Sequence, residues 1–335
     1  MFVPEEIFYE KAIKSYELGI HLLKKFENIP KKVIESHNNI DELKNKSNKD
    51  FPILKKKLII GVRKTHKYSP NHKVSDFLVP YTSSGCTASC LYCYLVCHFN
   101  KCSYLRLFVN REQMLNKIIK TANDASNTKE LTFEIGSNSD LVLENTITNN
   151  LVWTIENFAK SKHGFLTFPT KFDMIDPLLH IKSGREKVII RMSVNPQKII
   201  TMAEFGTANL NARIRSINAL KEAGYKIGII IAPVIFVENW KILYHDLIEK
   251  LASELSDEVK KDVFFEVIFM TYSFVHNAIN TEAYPNAINL YEPEKMRVRG
   301  RGMYAYKNSL RIDAEDYLKS ELLKYFPENE ILYFS

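Results

Sequence analysis

Outside positions 86–102 the 335-residue chain has no cysteine; all five lie inside that window, at Cys86, Cys90, Cys93, Cys97 and Cys102. A secreted disulfide framework would scatter an even number of cysteines through a short chain, so this clustering points to metal chemistry in a reducing compartment. Long apolar runs are also missing. The longest, Ile227–Val237, is well short of the roughly 18 residues of a membrane span, and the start, Met1 to Glu6, has no signal-peptide character. A cytoplasmic protein is the expectation, with no membrane partner. There is no extreme of charge either: Lys+Arg 46 against Asp+Glu 39 leaves +7, which permits a polyanionic partner without requiring one. With 45% hydrophobic and 25% charged residues, the composition excludes disordered, collagen-like and disulfide-dense miniature chains. The length suits one large domain or two ordinary ones.

The first sixty residues read as helix and loop, with Ile13, Tyr16, Ile20 and Leu23 on one helical face and a polar Asn/Lys-rich stretch over 36–50. We take 1–75 as an N-terminal helical extension packed on the core. From Phe77 onward, short apolar runs alternate with amphipathic helices, the signature of βα units around a parallel sheet. The strand candidates are 77–81, 131–135, 164–168, 188–194, 226–232 and 263–269. Between them, Asn110 to Gln113 resembles a capping box; Leu210, Ile214 and Ile217 form a stripe ending at Gly224; and Trp240, Leu243, Tyr244, Leu247 and Leu251 share a helix face. Six such units over 76–290 imply an α/β fold, a partial (β/α)6 TIM-like barrel with its active site at the C-terminal strand ends. Residues 291–335 read as a C-terminal hairpin and helix, followed by the short run Ile331 to Tyr333.

The loop after the first strand carries Cys86-x3-Cys90-x2-Cys93. Three thiolates so spaced can hold three irons of a [4Fe–4S] cluster and leave the fourth open for chemistry. Structural zinc would want a second paired block, and His98 is too near to supply one. Burial as small hydrophobes suits Cys97 or Cys102 singly, and three cysteines at this spacing poorly.

At these residues the chain resembles the radical S-adenosylmethionine (SAM) superfamily, with Tyr92 the aromatic residue before the third cysteine. The likeness extends further. Gly61 to Thr65, Cys90 to Leu95, Phe133-Glu134 with Ser139-Asp140, Arg191 to Asn195, Ala223 to Tyr225 and Ile231 to Pro233 together resemble the spore photoproduct lyase family over nearly the whole chain. The resemblance implies direct reversal of the thymine photodimer 5-thyminyl-5,6-dihydrothymine in DNA. A 5′-deoxyadenosyl radical made from SAM takes a hydrogen from the dihydrothymine half, the bond joining the bases breaks, and a hydrogen atom returns to the thymine radical. It further implies an external electron donor of flavodoxin or ferredoxin type, a monomer, and a place in the spore core or germinating cell.

Carried over by position, the resemblance gives Cys86, Cys90 and Cys93 as cluster ligands, Ser139, Lys171, Ser193 and Ala232 as SAM contacts, and Tyr92 and Tyr94 as a hydrogen-atom or electron relay. One departure stands out. The family's hydrogen-returning cysteine is replaced here by Ser137, whose O–H bond is much stronger than a thiol S–H. Cys97, four residues beyond Cys93 and uncommitted to the cluster, is the expected substitute, ahead of Cys102; an inert Cys97 is the competing reading. DNA contact is expected from Arg297 to Lys307, where Arg299, Arg301 and Tyr304 interleave guanidinium and aromatic groups with glycine. A second basic run, Lys55-Lys56-Lys57 with Arg63, Lys64 and Lys67, could add phosphate attraction or be a solvated face. Two alternatives remain at this point: a radical SAM relative acting on another nucleic acid, and a zinc-stabilised nucleic-acid-binding protein.

Overall fold

The computed structural model describes residues 2–335. Seven parallel strands form a curved sheet in chain order: β1 Phe77–Leu78, β2 Thr132–Glu134, β3 Phe165–Thr170, β4 Val188–Val194, β5 Lys226–Val234, β6 Phe264–Phe269 and β7 Ile331–Phe334. The six expected strands are all present. β1 is shorter than its sequence run because Pro80 has no N–H to extend the ladder beyond the Val79 N–H to Glu134 bond of 2.8 Å. The run Ile331 to Tyr333 becomes the seventh strand, paired beside β6. β4 and β5 are almost wholly buried, which is why they read as continuous apolar runs.

Helices cover the outside. The stripe Leu210, Ile214 and Ile217 is buried on helix Leu210–Glu222, as are Tyr244, Leu247 and Leu251 on helix Trp240–Glu254. Inside the curved sheet a polar row crosses the strands. Arg191 of β4 lies 3.1 Å from Glu266 of β6 and donates to Thr167 of β3 at 3.0 Å, while Tyr333 of β7 donates to Glu266. Glu134 of β2 is an ion-pair neighbour of Arg191 at 2.7 Å, bent too far for a hydrogen bond.

The N-terminal segment differs from its sequence reading. It contributes three strands as well as short helices, building a second sheet in the order Lys31–Ile34, Glu6–Glu10, Lys57–Gly61, Leu105–Phe108, Ser83–Ser84. Ile7, Leu58, Ile60, Leu105 and Leu107 bury one face of it. The helical stripe is also shifted. Ile13, Leu18 and Leu22 point inward whereas Ile20 is 56% exposed, because a short 3-10 turn over Lys11–Ser15 resets the phase before helix Glu17–Lys25. Asn110 does not cap helix Arg111–Ala122 through its side chain; its amide bonds the Arg63 backbone at 2.9 Å, joining the ends of two neighbouring strands of this sheet.

The sheets meet at Gly85. Its φ is +79°, and a Cβ there would lie 1.9 Å from the Tyr104 carbonyl oxygen. Gly224 has φ +93° but open space around it. We therefore expect Gly85→Ala to lower stability by about 2–4 kcal/mol and Gly224→Ala by about 1–2 kcal/mol, read as denaturant midpoints of the two variants.

Candidate active site

The cysteine loop is fastened at each cysteine. Cys86 donates its backbone N–H to Ser103 O at 3.1 Å, and its carbonyl accepts from the ammonium of Lys55 at 3.0 Å. Lys55 is buried and donates to Ser103 O as well, at 2.9 Å. Ser89–Cys90 forms an antiparallel pair with Glu204–Phe205, with Cys90 opposite Glu204. The Leu91 carbonyl accepts from Asn280 at 2.7 Å, and the Cys93 carbonyl lies 2.9 Å from His276 Nε2. Because Nδ1 of His276 accepts the Ser273 backbone N–H at 3.1 Å, Nε2 carries the ring proton and donates to Cys93 O. Cys86 is buried and the other two cysteines half-buried. Burial pushes the Cys86 thiol up to about 12 and the Cys90 thiol well above its ordinary range, so as free groups they are protonated. A metal that binds them displaces those protons.

Three cysteines held by their own backbone in one loop fit a cluster with one thiolate per iron. Among the described residues no three His, Cys, Asp or Glu side chains converge on a single point.

Beside the loop is a buried hub of charge. Glu204 is 2% exposed; its carboxylate meets Arg213 Nη2 at 2.5 Å, Lys171 Nζ at 3.0 Å and Asn195 Nδ2 at 3.0 Å, and accepts from the Tyr92 hydroxyl. Lys171 follows directly on β3, and its ammonium also reaches Ser193 Oγ and Ala232 O, each at 2.9 Å, and Tyr92 Oη at 3.2 Å. Three of the expected SAM contacts, Lys171, Ser193 and Ala232, and Tyr92 of the expected relay are thus gathered at the C-terminal mouth of the sheet. Ser139 lies apart from them and bonds Gly85 O at 2.8 Å, next to Cys86. Asp140 caps helix Leu141–Thr148 and accepts the Lys171 backbone N–H at 3.0 Å, tying the β2 loop to the β3 end. Tyr94 is 50% exposed, and desolvation, reinforced by Cys93, pushes its phenol up.

Glu204 and Arg213 escaped the sequence reading, although a signal existed. Arg213 lies three residues after Leu210, on the face of the apolar stripe, and a charge there requires a buried partner. Lys55, Asn280 and His276 gave no such signal, because their roles depend on long-range contacts.

The basic run near residue 60 is mostly structural. Lys55 is buried, Lys56 and Lys57 pair with Glu5 and Glu6, and Arg63 donates to Tyr81 O at 2.8 Å. The hairpin is different. Met296–Gly300 pairs with Met303–Tyr306, which on its other side pairs with Thr271–Ser273. Arg299 and Arg301 are exposed at its tip, and Tyr304 is half-buried against Tyr291, ring centres 4.6 Å apart. Cys97 is exposed and packs beneath this hairpin, its Sγ 3.7 Å from Ser273 Oγ and 3.9 Å from Met303 Sδ. Cys102 sits among Phe8, Ile40, Leu54 and Tyr104 of the N-terminal layer. Ser137 occupies the loop between Gly136 and Asp140.

Burial alone would raise the Glu204 carboxyl, but Lys171 and Arg213, with hydrogen bonds from Tyr92 and Asn195, hold it down at about 2. The carboxylate then stabilises the fold fully above its ordinary value near 4.5 and loses that contribution as pH falls toward 2. Glu204→Gln should cost about 3–5 kcal/mol at pH 7. In urea unfolding, the gap between wild type and Glu204→Gln should be constant above pH 4.5 and narrow steadily between there and pH 2.

Comparison with known proteins agrees with this geometry. A family model described as spore photoproduct lyase matches residues 2–335. The chain is 32% identical to spore photoproduct lyase of Bacillus subtilis (strain 168), covering 100% of this chain and 99% of that protein, and 30% identical to that of Clostridium acetobutylicum, covering 98% and 96%. Among solved structures, spore photoproduct lyase complexed with dinucleoside spore photoproduct superposes with a TM-score of 0.91 at 27% identity, over 100% of this chain and 99% of the other. A cysteine variant of spore photoproduct lyase with bound AdoMet (SAM) and the same dinucleoside gives the same TM-score, identity and coverage. With the family model, the sequence matches and the fold all spanning nearly the full length, the chain belongs to the spore photoproduct lyase family.

Proposed function

We propose that the chain repairs spore photoproduct in DNA by direct reversal, using a [4Fe–4S] cluster on Cys86, Cys90 and Cys93 and SAM at the open iron. The observation that carries this reading is the hub itself: a loop of three cysteines joined through Cys90 and Tyr92 to a lysine at the strand ends. When bound, the cluster and SAM supply a carbon-centred radical that removes a hydrogen atom from the lesion. Lys171 is a cation suited to the SAM carboxylate, with Ser193 and the Ala232 carbonyl beside it as polar partners. Glu204 keeps the lysine aimed, and Arg213 and Asn195 keep Glu204 in place. Ser139, tied to Gly85, is a further candidate contact.

Cys97 is the thiol we assign to hydrogen return. It has a weak S–H bond, it is uncommitted to the cluster loop, and it faces the hairpin whose Arg299, Arg301 and Tyr304 we assign to DNA. The guanidiniums have no carboxylate partner and can hold phosphates; Tyr304 presents an aromatic face beside an extruded base. Tyr92 and Tyr94 flank Cys93 and can relay a hydrogen atom or electron. Reduction of the cluster calls for an external one-electron donor of flavodoxin or ferredoxin type.

Anaerobically reconstituted, reduced protein given SAM and a dinucleotide carrying spore photoproduct should release repaired thymidine dinucleotide, followed by chromatography. Cys97→Ala should still cleave SAM but divert lesion into abnormal adducts, with clean repair falling at least tenfold. Clean, full repair by Cys97→Ala would remove Cys97 from the mechanism, and SAM cleavage with an untouched lesion in wild type would refute the substrate.

A further inference from the structure

Where the N-terminal sheet meets the cysteine loop there is a cavity of about 140 Å³, lined by His37, Arg63, Ser84, Arg106, Phe108 and Asn138 among others. Two guanidiniums face this one small space, and neither has an acid partner. The ion-paired arginines of the described residues are Arg111, Arg191, Arg213 and Arg311. Arg106 is only 5% exposed; its bonds are to the carbonyls of His37 at 3.2 Å and, weakly, Tyr104 at 3.4 Å, leaving Nη2 without a protein acceptor. Arg63 lies 3.8 Å over the Phe108 ring, bonded to carbonyls of Tyr81 and, at 3.5 Å, Ser83. The acids nearby are occupied. Glu144 accepts from Thr82, Ser83 and Asn150, and Glu10 from His37 and the Val62 backbone. The side chains of Ser84 and Asn138 make no hydrogen bond within the described protein, so they remain free to donate.

A buried guanidinium, Arg106, beside a half-buried one, Arg63, without a counter-charge is costly, because burial penalises each and they repel one another. An anion in the cavity removes both penalties. From this geometry we infer that the cavity is a binding site for a single phosphate-type oxyanion, held by Arg63 and Arg106 with Ser84 and Asn138. Guanidinium forks match a tetrahedral oxyanion bidentately, and the cavity has the volume of about five waters, room for one such group. Occupancy would fasten the N-terminal sheet to the residues flanking Gly85 and Ser139. The site stands independently of the repair reaction. Its ligand could be free phosphate or a phosphate of a nucleic-acid strand.

Both sources can be tested on the full-length purified protein. Inorganic phosphate, against chloride at matched ionic strength, should raise the unfolding temperature by roughly 2–4 °C at saturation. Arg106→Gln should abolish that rise. Should that variant fail to fold, Asn138→Ala, at the half-buried cavity wall, should weaken phosphate about 3–10-fold. If the source is nucleic acid, an undamaged oligonucleotide competes with phosphate and loses about one unit of salt slope in Arg106→Gln; if it is free phosphate, the oligonucleotide binds both proteins equally. Absence of a phosphate-specific rise in wild type, or a rise unaltered in Asn138→Ala and in folded Arg106→Gln, would overturn the site.

Discussion

A single carboxylate buried between two cations governs the mouth of this barrel. Glu204 cannot be satisfied in an apolar interior except by charge and hydrogen bonds together, and Arg213, Lys171, Asn195 and Tyr92 provide both. The consequence reaches outward in two directions. Through its backbone Glu204 pairs with Cys90, so the cysteine loop is registered against the same residue that fixes the lysine. Through Lys171 it reaches Ser193 and Ala232, so the ends of three neighbouring strands share one electrostatic anchor.

The cysteine loop adds a second constraint. Its carbonyls are tied to Lys55, Asn280 and His276, which come from the N-terminal layer and the helix following β6, Phe274–Ala283. Such cross-links make the loop rigid before any metal is present, which lowers the ordering cost of assembling a cluster there. The same helix begins at Ser273, against which Cys97 packs beneath the hairpin. The cysteine loop, the candidate thiol and the 296–306 hairpin therefore rest on one short stretch of chain.

The strands of the barrel were legible because parallel strands buried on both faces leave continuous Val/Ile runs, and Cys86-x3-Cys90-x2-Cys93 marked the loop without any structural help. Lys171 and Ser193 were legible only through resemblance, since one lysine after a strand has no pattern of its own. The N-terminal sheet was hidden for a physical reason. Its strands are two to five residues long, separated by helices and polar loops, and one of them, Leu105–Phe108, comes from beyond the cysteine loop. Lys55 illustrates the limit most sharply: within Lys55-Lys56-Lys57 it looks solvated, yet the turn at Phe51–Leu54 points it inward to Cys86.

The claim that one buried carboxylate organises both lysine and loop is tested most directly by a double-mutant cycle. Lys171→Met, Glu204→Gln and the double variant would be unfolded in urea at pH 7 beside wild type. The account predicts strong coupling, with the double variant less destabilised than the sum of the singles by about 1–3 kcal/mol. Additivity within about 0.5 kcal/mol would contradict it, showing that lysine and carboxylate are held independently.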